Sequence, residues 1–112
     1  MPYRDINVLD SAVRAADRVN DLIDRSPPGR LMHVGQLRRA VQSVGANISE
    51  GFGRGAGPGR DHALRIARGE AEEAIRHLAT NFRAGRIGRA DYWPPRDLLV
   101  VIVKMLTSLL RG

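Results

Sequence analysis

The sequence predicts an all-α protein, a four-helix bundle with antiparallel up-down-up-down connectivity. Four segments carry apolar residues at three- and four-residue steps, three glycine- or proline-rich clusters separate them, and the connections are short enough to force consecutive helices to be neighbours. On this reading all 112 residues form a single domain, with helices over approximately 6–25, 31–50, 60–83 and 92–111.

The first helix runs from about Ile6 to Arg25. Leu9, Ala12, Val13, Ala16, Val19 and Ile23 form its apolar side, Arg14, Asp17, Arg18 and Asp21 its polar side, and Asp5 or Asn7 is available as N-cap. Ser26-Pro27-Pro28-Gly29 ends it, because prolines cannot extend the hydrogen-bond ladder. The second helix, from Leu31 to about Glu50, places Leu37, Val41, Val44 and Ile48 at offsets 0, 4, 7 and 11, a single packed seam. Residues 51–59 have glycine at every odd position and are predicted to be a loop. The third helix follows Pro58, which suits a first-turn position, and runs to about Phe82 with Ala63, Ile66, Ala67, Ala71, Ala74, Ile75, Leu78 and Phe82 on its apolar side. Gly85-Arg86-Ile87-Gly88 turns the chain. The fourth helix starts near Asp91 or Pro94 and is apolar on every face across Leu98–Val103. One side of such a helix can face its own bundle, while the other must face something else, most economically a second copy. Leu99, Val100, Val103 and Leu106 are the expected interface. The β-branched run Val100–Val103 is also compatible with a strand, but the other segments offer it no partner strand.

Composition narrows the function. The chain is 43% hydrophobic and 27% charged, with 18 Lys and Arg against 12 Asp and Glu for a net +6. All the bases except Lys104 are arginine. A GC-rich genome accounts for that ratio but not for the net charge, which favours a polyanionic partner such as RNA. Residues 30–60 hold +4 of the excess. Arg38, Arg39, Arg54 and Arg60 are the candidate phosphate contacts, and Arg65, Arg68 and Arg76 extend the stripe. The spacings Asp61/Arg65, Arg68/Glu72 and Glu72/Arg76 allow local neutralisation on the third helix. Phe52 is the only aromatic residue beside the cluster, so binding should be phosphate-driven and weakly sequence-specific. A merely solvated basic face is the alternative.

Zero cysteines exclude disulfides and thiolate metal sites. The opening residues MPYRDINVLD lack a signal-peptide apolar run, and Leu98–Leu110, thirteen residues with Lys104 inside, falls short of the roughly 20 needed to cross a bilayer. A cytoplasmic protein without a membrane partner is expected. The glycine run invites a phosphate-cradle reading, yet it ends in Pro58-Gly59-Arg60 and follows a helix, where a P-loop needs Gly-Lys-Ser/Thr after a strand. Glu70, Glu73 and His77 suggest a carboxylate-bridged metal site, but Glu73 to His77 is a four-residue step where di-iron bundles use Glu-x-x-His on two helices. His33, His62 and His77 have neither HExxH spacing nor the Arg-to-His spacing of HEPN-type ribonucleases. A non-enzymatic protein with no cofactor and no metal is expected.

Two segments then carry a family resemblance. Gln36-Leu37-Arg38-Arg39-Ala40, followed by Ser43-Val44-Gly45-Ala46-Asn47-Ile48-Ser49-Glu50-Gly51-Phe52-Gly53-Arg54, resembles the signature of the bacterial four-helix-bundle family named for the 23S rRNA intervening-sequence protein. Tyr3–Val8 is similar to the family's opening, Leu64–Gly69 to a central segment and Met105–Leu110 to its closing stretch. The resemblance implies bundles that assemble into homo-oligomeric rings, commonly pentamers, and a relation to the accessory variability determinant of diversity-generating retroelements, a basic ring that partners a reverse transcriptase and RNA. It implies no catalytic residues. Gly45 stands where the family has proline. Ala56 and Gly59 replace its Ser and Glu at the third helix's cap, and Arg60 replaces its Phe, making the loop looser and more basic. Asn47 can hydrogen-bond neighbouring backbone, and Glu50 can pair with Arg38, Arg39 or Arg54. The expected function is an RNA-binding scaffold or accessory of a ribonucleoprotein or reverse transcriptase; the alternative is a protein–protein assembly module with no nucleic-acid role.

Overall fold

In the computed structural model, which describes residues 3–111, with side chains from Asn7 onward, the chain forms α1 (Tyr3–Arg25), α2 (Val34–Arg54), α3 (Pro58–Arg83) and α4 (Arg89–Arg111). No strand occurs among the described residues, so Val100–Val103 is helical. Each helix packs against two others, in the order α1, α2, α3, α4 and back to α1, and α2 with α3 is the most extensive pairing. Small residues explain that closeness: α3 turns Ala63, Ala67, Ala71 and Ala74 inward, all buried, toward the α2 seam Leu37, Val41, Val44 and Ile48. Val8, Val19 and Leu22 of α1 and Leu99, Ile102, Leu106 and Leu109 of α4 complete one core. Each fully buried Leu or Ile contributes about 1.5–3 kcal/mol.

Helix ends differ from the sequence expectation at several points, α4 among them, which begins at Arg89 rather than near Asp91 or Pro94. α1 already begins at Tyr3, upstream of Asp5 and Asn7, the expected caps; the Asp5 side chain lies outside the described ones. α2 begins at Val34 rather than Leu31. Leu31 is buried but sits in the connection, and His33 adopts the left-handed conformation at φ 58° while its carbonyl accepts from the Leu37 N–H at 2.9 Å. The largest correction concerns residues 51–59: α2 continues through Gly51, Phe52, Gly53 and Arg54, leaving only Gly55-Ala56-Gly57 as the connection. Each helical glycine costs about 1 kcal/mol relative to alanine. Close packing offsets that cost at Gly51, where an added Cβ would lie 3.1 Å from Leu64 Cδ2 and 3.2 Å from the Arg60 carbonyl oxygen. The turn itself uses Gly55 at φ 74° and Gly57 at φ 140°. Gly57 caps α3 without a side-chain hydrogen bond, and Pro58 takes the first-turn position.

α4 begins at Arg89, with the Asp91 and Tyr92 N–H groups donating to the Gly88 carbonyl, and it runs through Pro94 and Pro95. Interior prolines are costly because they leave carbonyls one turn back without a donor. Tyr92 holds this turn in place by stacking on Phe82 of α3, with ring centroids 4.2 Å apart and planes 1° from parallel.

The α1–α2 and α3–α4 connections are tied together. Asn81, the one polar side chain buried among the described residues, accepts from the Met32 N–H at 2.8 Å and donates to the Met32 carbonyl at 3.1 Å and the His77 carbonyl at 2.9 Å. Arg30 donates to the carbonyls of Arg86 and Gly85, and Arg86 donates back to the carbonyl of Arg30. Arg25 adds a bridge from α1 to Asp91.

Candidate nucleic-acid interface

The four arginines singled out by sequence lie on α2 and at the start of α3, and the structure distinguishes among them by their partners. Arg38 donates to Asn20 at 3.0 Å and is ion-paired with Asp24 of α1. Arg54 is held by Glu50 one turn earlier at 2.8 Å, and its side chain lies over Gly59. Arg60, three-quarters buried, pairs with Asp61 at 3.2 Å. The expectation that the uncompensated charge sits on these residues is therefore corrected for three of them; Arg39 alone is exposed with no carboxylate of the described residues within 4 Å. The two exposed pairs, Arg38–Asp24 and Arg54–Glu50, contribute only about 0.2–1 kcal/mol each, but all three pairs lower the local positive potential.

On α3 the correction runs the other way. None of the three neutralising pairs allowed by spacing forms: Asp61 turns to Arg60, Arg68 donates to Thr107 of α4 at 3.3 Å, and Arg65 and Arg76 are exposed without a carboxylate partner. Asn47 and Glu50 behave as the sequence suggests. Asn47 donates to the Ser43 carbonyl at 2.9 Å, and Glu50 takes Arg54 among its three candidate partners. A cleft of about 200 Å³ between Asn47, Glu50, Arg54, Gly59, His62 and Ile66 opens beside this pair.

His33 and His77 meet across the α2–α3 boundary, with ring centroids 5.1 Å apart. Burial pushes His77 below its ordinary range; Glu73 raises it, while His33, Arg76 and Arg39 lower it further. One Glu73 carboxylate oxygen is buried without a hydrogen-bond partner. Nevertheless, no group of three or more His, Asp or Glu among the described residues is placed to hold a metal ion. Nor is any described helix long and apolar enough to cross a membrane.

The expected interface on α4 divides in two. Leu99 and Leu106 are completely buried inside the four-helix core and have no surface to offer a partner, which corrects their assignment. Val100 and Val103 are only partly buried, and Val103, four residues after Leu99 and three before Leu106, packs against the edge of the core. They line a groove of about 370 Å³ with Ile75, Glu72, Arg76 and Lys104, and Val101 beside it is 45% exposed.

Sequence reasoning missed Trp93. It is 43% exposed near the start of α4, edge-on to Tyr92 at 4.9 Å, with the Arg96 guanidinium 5.3 Å from its ring centre. Its signal was present, since Trp93 follows Arg89 by four residues and shares its helix face.

The comparisons agree with this architecture. No curated protein matches the chain. The crystal structure of a protein of unknown function from the S23 ribosomal protein family of Bacteroides thetaiotaomicron is similar to it, with a TM-score of 0.88 and 26% sequence identity over 97% of this chain and 99% of that one. The profile of the 23S rRNA-intervening sequence protein family matches residues 4–108, nearly the whole chain and both signature segments. The chain belongs to the 23S rRNA-intervening sequence protein family.

Proposed function

We propose that the protein is a non-enzymatic, homo-oligomeric RNA-binding scaffold, an accessory to a ribonucleoprotein or a reverse transcriptase. In this reading it is an antiparallel up-down-up-down bundle whose copies join, through the outer face of α4, into a ring of five. The observation that carries the reading is the charge left over after the ion pairs form. Arg39, Arg65 and Arg76 are exposed without a carboxylate of the described residues within 4 Å, on a chain of net +6. Membership of a family named for an element of 23S rRNA supports RNA as the polyanion. Ring symmetry would repeat each weak basic patch around one particle, converting modest contacts into avidity.

Val101, 45% exposed, and the groove beside it lined by Val100 and Val103 also suit a second reading, an assembly module with a protein partner and no nucleic-acid role. Light scattering separates the two. The first reading predicts a particle whose mass is a multiple of 12.3 kDa and rises further on adding a short single-stranded RNA at low salt. An oligomer whose mass is unchanged by RNA would support the second reading. A monodisperse 12.3 kDa species at micromolar concentration would contradict the oligomer in both.

A further inference from the structure

Four arginines without acidic partners among the described residues lie where the α1–α2 and α3–α4 connections meet. Residues 26–33 and 83–90 contain Arg30, Arg83, Arg86 and Arg89 and no aspartate or glutamate. None of the four has a carboxylate of the described residues within 4 Å, and the next acid along the chain, Asp91, is taken by Arg25 at 3.0 Å. The contrast is with the α2–α3 connection, where Arg54 and Arg60 are each neutralised by a neighbour.

Two of the four are also held in place. Arg30 donates at 3.2 Å and 3.1 Å to the carbonyls of Arg86 and Gly85, and Arg86 returns a bond of 3.0 Å to the carbonyl of Arg30. Carbonyls are neutral, so these bonds fix the guanidiniums without cancelling their charge. Each guanidinium has five N–H donors, and most remain available. Side chains already ordered lose less entropy on binding. Arg83 and Arg89 flank the same turn, which Gly85 reverses at φ 72°, and both are exposed.

An exposed indole stands next to this cluster. Trp93, one helical turn after Arg89, is steadied edge-on by Tyr92 at 4.9 Å and Phe82 at 6.2 Å. A partly exposed, rigidly packed tryptophan beside uncompensated arginines combines the two elements of a single-strand site, cations for the phosphates and a flat surface for a base. Resting on the nucleic-acid reading above, we infer that Arg30, Arg83, Arg86 and Arg89 grip the backbone of an unpaired RNA strand while Trp93 stacks on one of its bases.

Trp93 is the only tryptophan, so its fluorescence reports on this site alone. On titration with a short single-stranded RNA of mixed sequence, quenching should track binding measured by anisotropy of a labelled RNA. The double variant Arg83→Gln/Arg89→Gln removes two side chains with no carboxylate partner and should weaken binding at least tenfold. It should also make the plot of log affinity against log salt shallower by about 1.4. Trp93→Leu should weaken single-strand binding roughly tenfold, with little effect on a duplex. Arg54→Gln/Arg60→Gln should change affinity less than about twofold, and circular dichroism should show every variant folded. Binding by the wild-type chain that leaves Trp93 fluorescence and the Arg83/Arg89 variant unaffected would overturn this site while leaving the RNA reading intact. Absence of any RNA binding at low salt would overturn both.

Discussion

Replacing Asn81 by alanine should cost about 3 kcal/mol of folding stability and lower the melting temperature by about 15 °C. Asn81 is 1% exposed and its amide satisfies three backbone groups: the N–H and carbonyl of Met32 and the carbonyl of His77. The His77 carbonyl retains a place inside α3, but Met32 lies outside any helix and has no ladder to fall back on. Its two groups would be left to compete for water in a half-buried position. Each unsatisfied buried group costs about 1–3 kcal/mol, and the small void left by the amide adds to that. Asn81→Asp preserves the acceptor for the Met32 N–H while removing both donors and burying a charge, so it should destabilise at least as much at neutral pH. A loss below about 0.5 kcal/mol for the alanine variant, within the range of ordinary surface substitutions, would contradict the bridging role.

Leu106→Ala should destabilise the folded subunit by about 2–5 kcal/mol, read from chemical denaturation. The side chain is completely buried between helices of its own chain, and alanine leaves a cavity that the surrounding core fills only in part. Val101→Asp provides the contrast. At 45% exposure it should leave subunit folding nearly unchanged and instead disturb whatever covers the outer face of α4. If Leu106→Ala dissociated an otherwise equally stable assembly, the inward orientation of that leucine would be wrong.

Those two residues also illustrate what the sequence makes legible. Periodicity placed the seam Leu37, Val41, Val44 and Ile48 correctly, and all four are buried. Ser26-Pro27-Pro28-Gly29 stops α1 at Arg25, where proline chemistry says it must. Periodicity is silent, however, in a uniformly apolar run. Within Leu98–Val103 every face looks alike, and only the arrival of α1 and α3 decides that Leu99 and Ile102 turn inward and Val101 outward. The glycine run misled for a related reason. Local propensity argues for a loop at 51–54, but the benefit of bringing Gly51 against Leu64 is a tertiary fact.

Charge was legible as a total and not as a distribution. The sequence places +4 in residues 30–60, yet Arg38 finds Asp24 fourteen positions away, and Arg25 finds Asp91 sixty-six positions away. Pairs at such separations leave no periodic trace. Conversely, the i,i+4 spacings on α3 promised neutralisation that does not occur. Arg38, Arg54 and Arg60 are thus paired, while Arg39, Arg83, Arg86 and Arg89 have no carboxylate partner among the described residues, and the last three lie beside the exposed Trp93.

The salt dependence of RNA affinity is the most direct test of a basic scaffold that holds RNA by its phosphates. For four phosphate contacts per copy to a single strand, log affinity should fall against log salt with a slope near −3, so raising salt from about 50 to about 200 mM should weaken binding roughly 50-fold. Simultaneous contacts from several copies would steepen the slope. Failure to bind RNA at the lower salt, or an affinity that stays constant across the range, would contradict a basic scaffold that holds RNA by its phosphates.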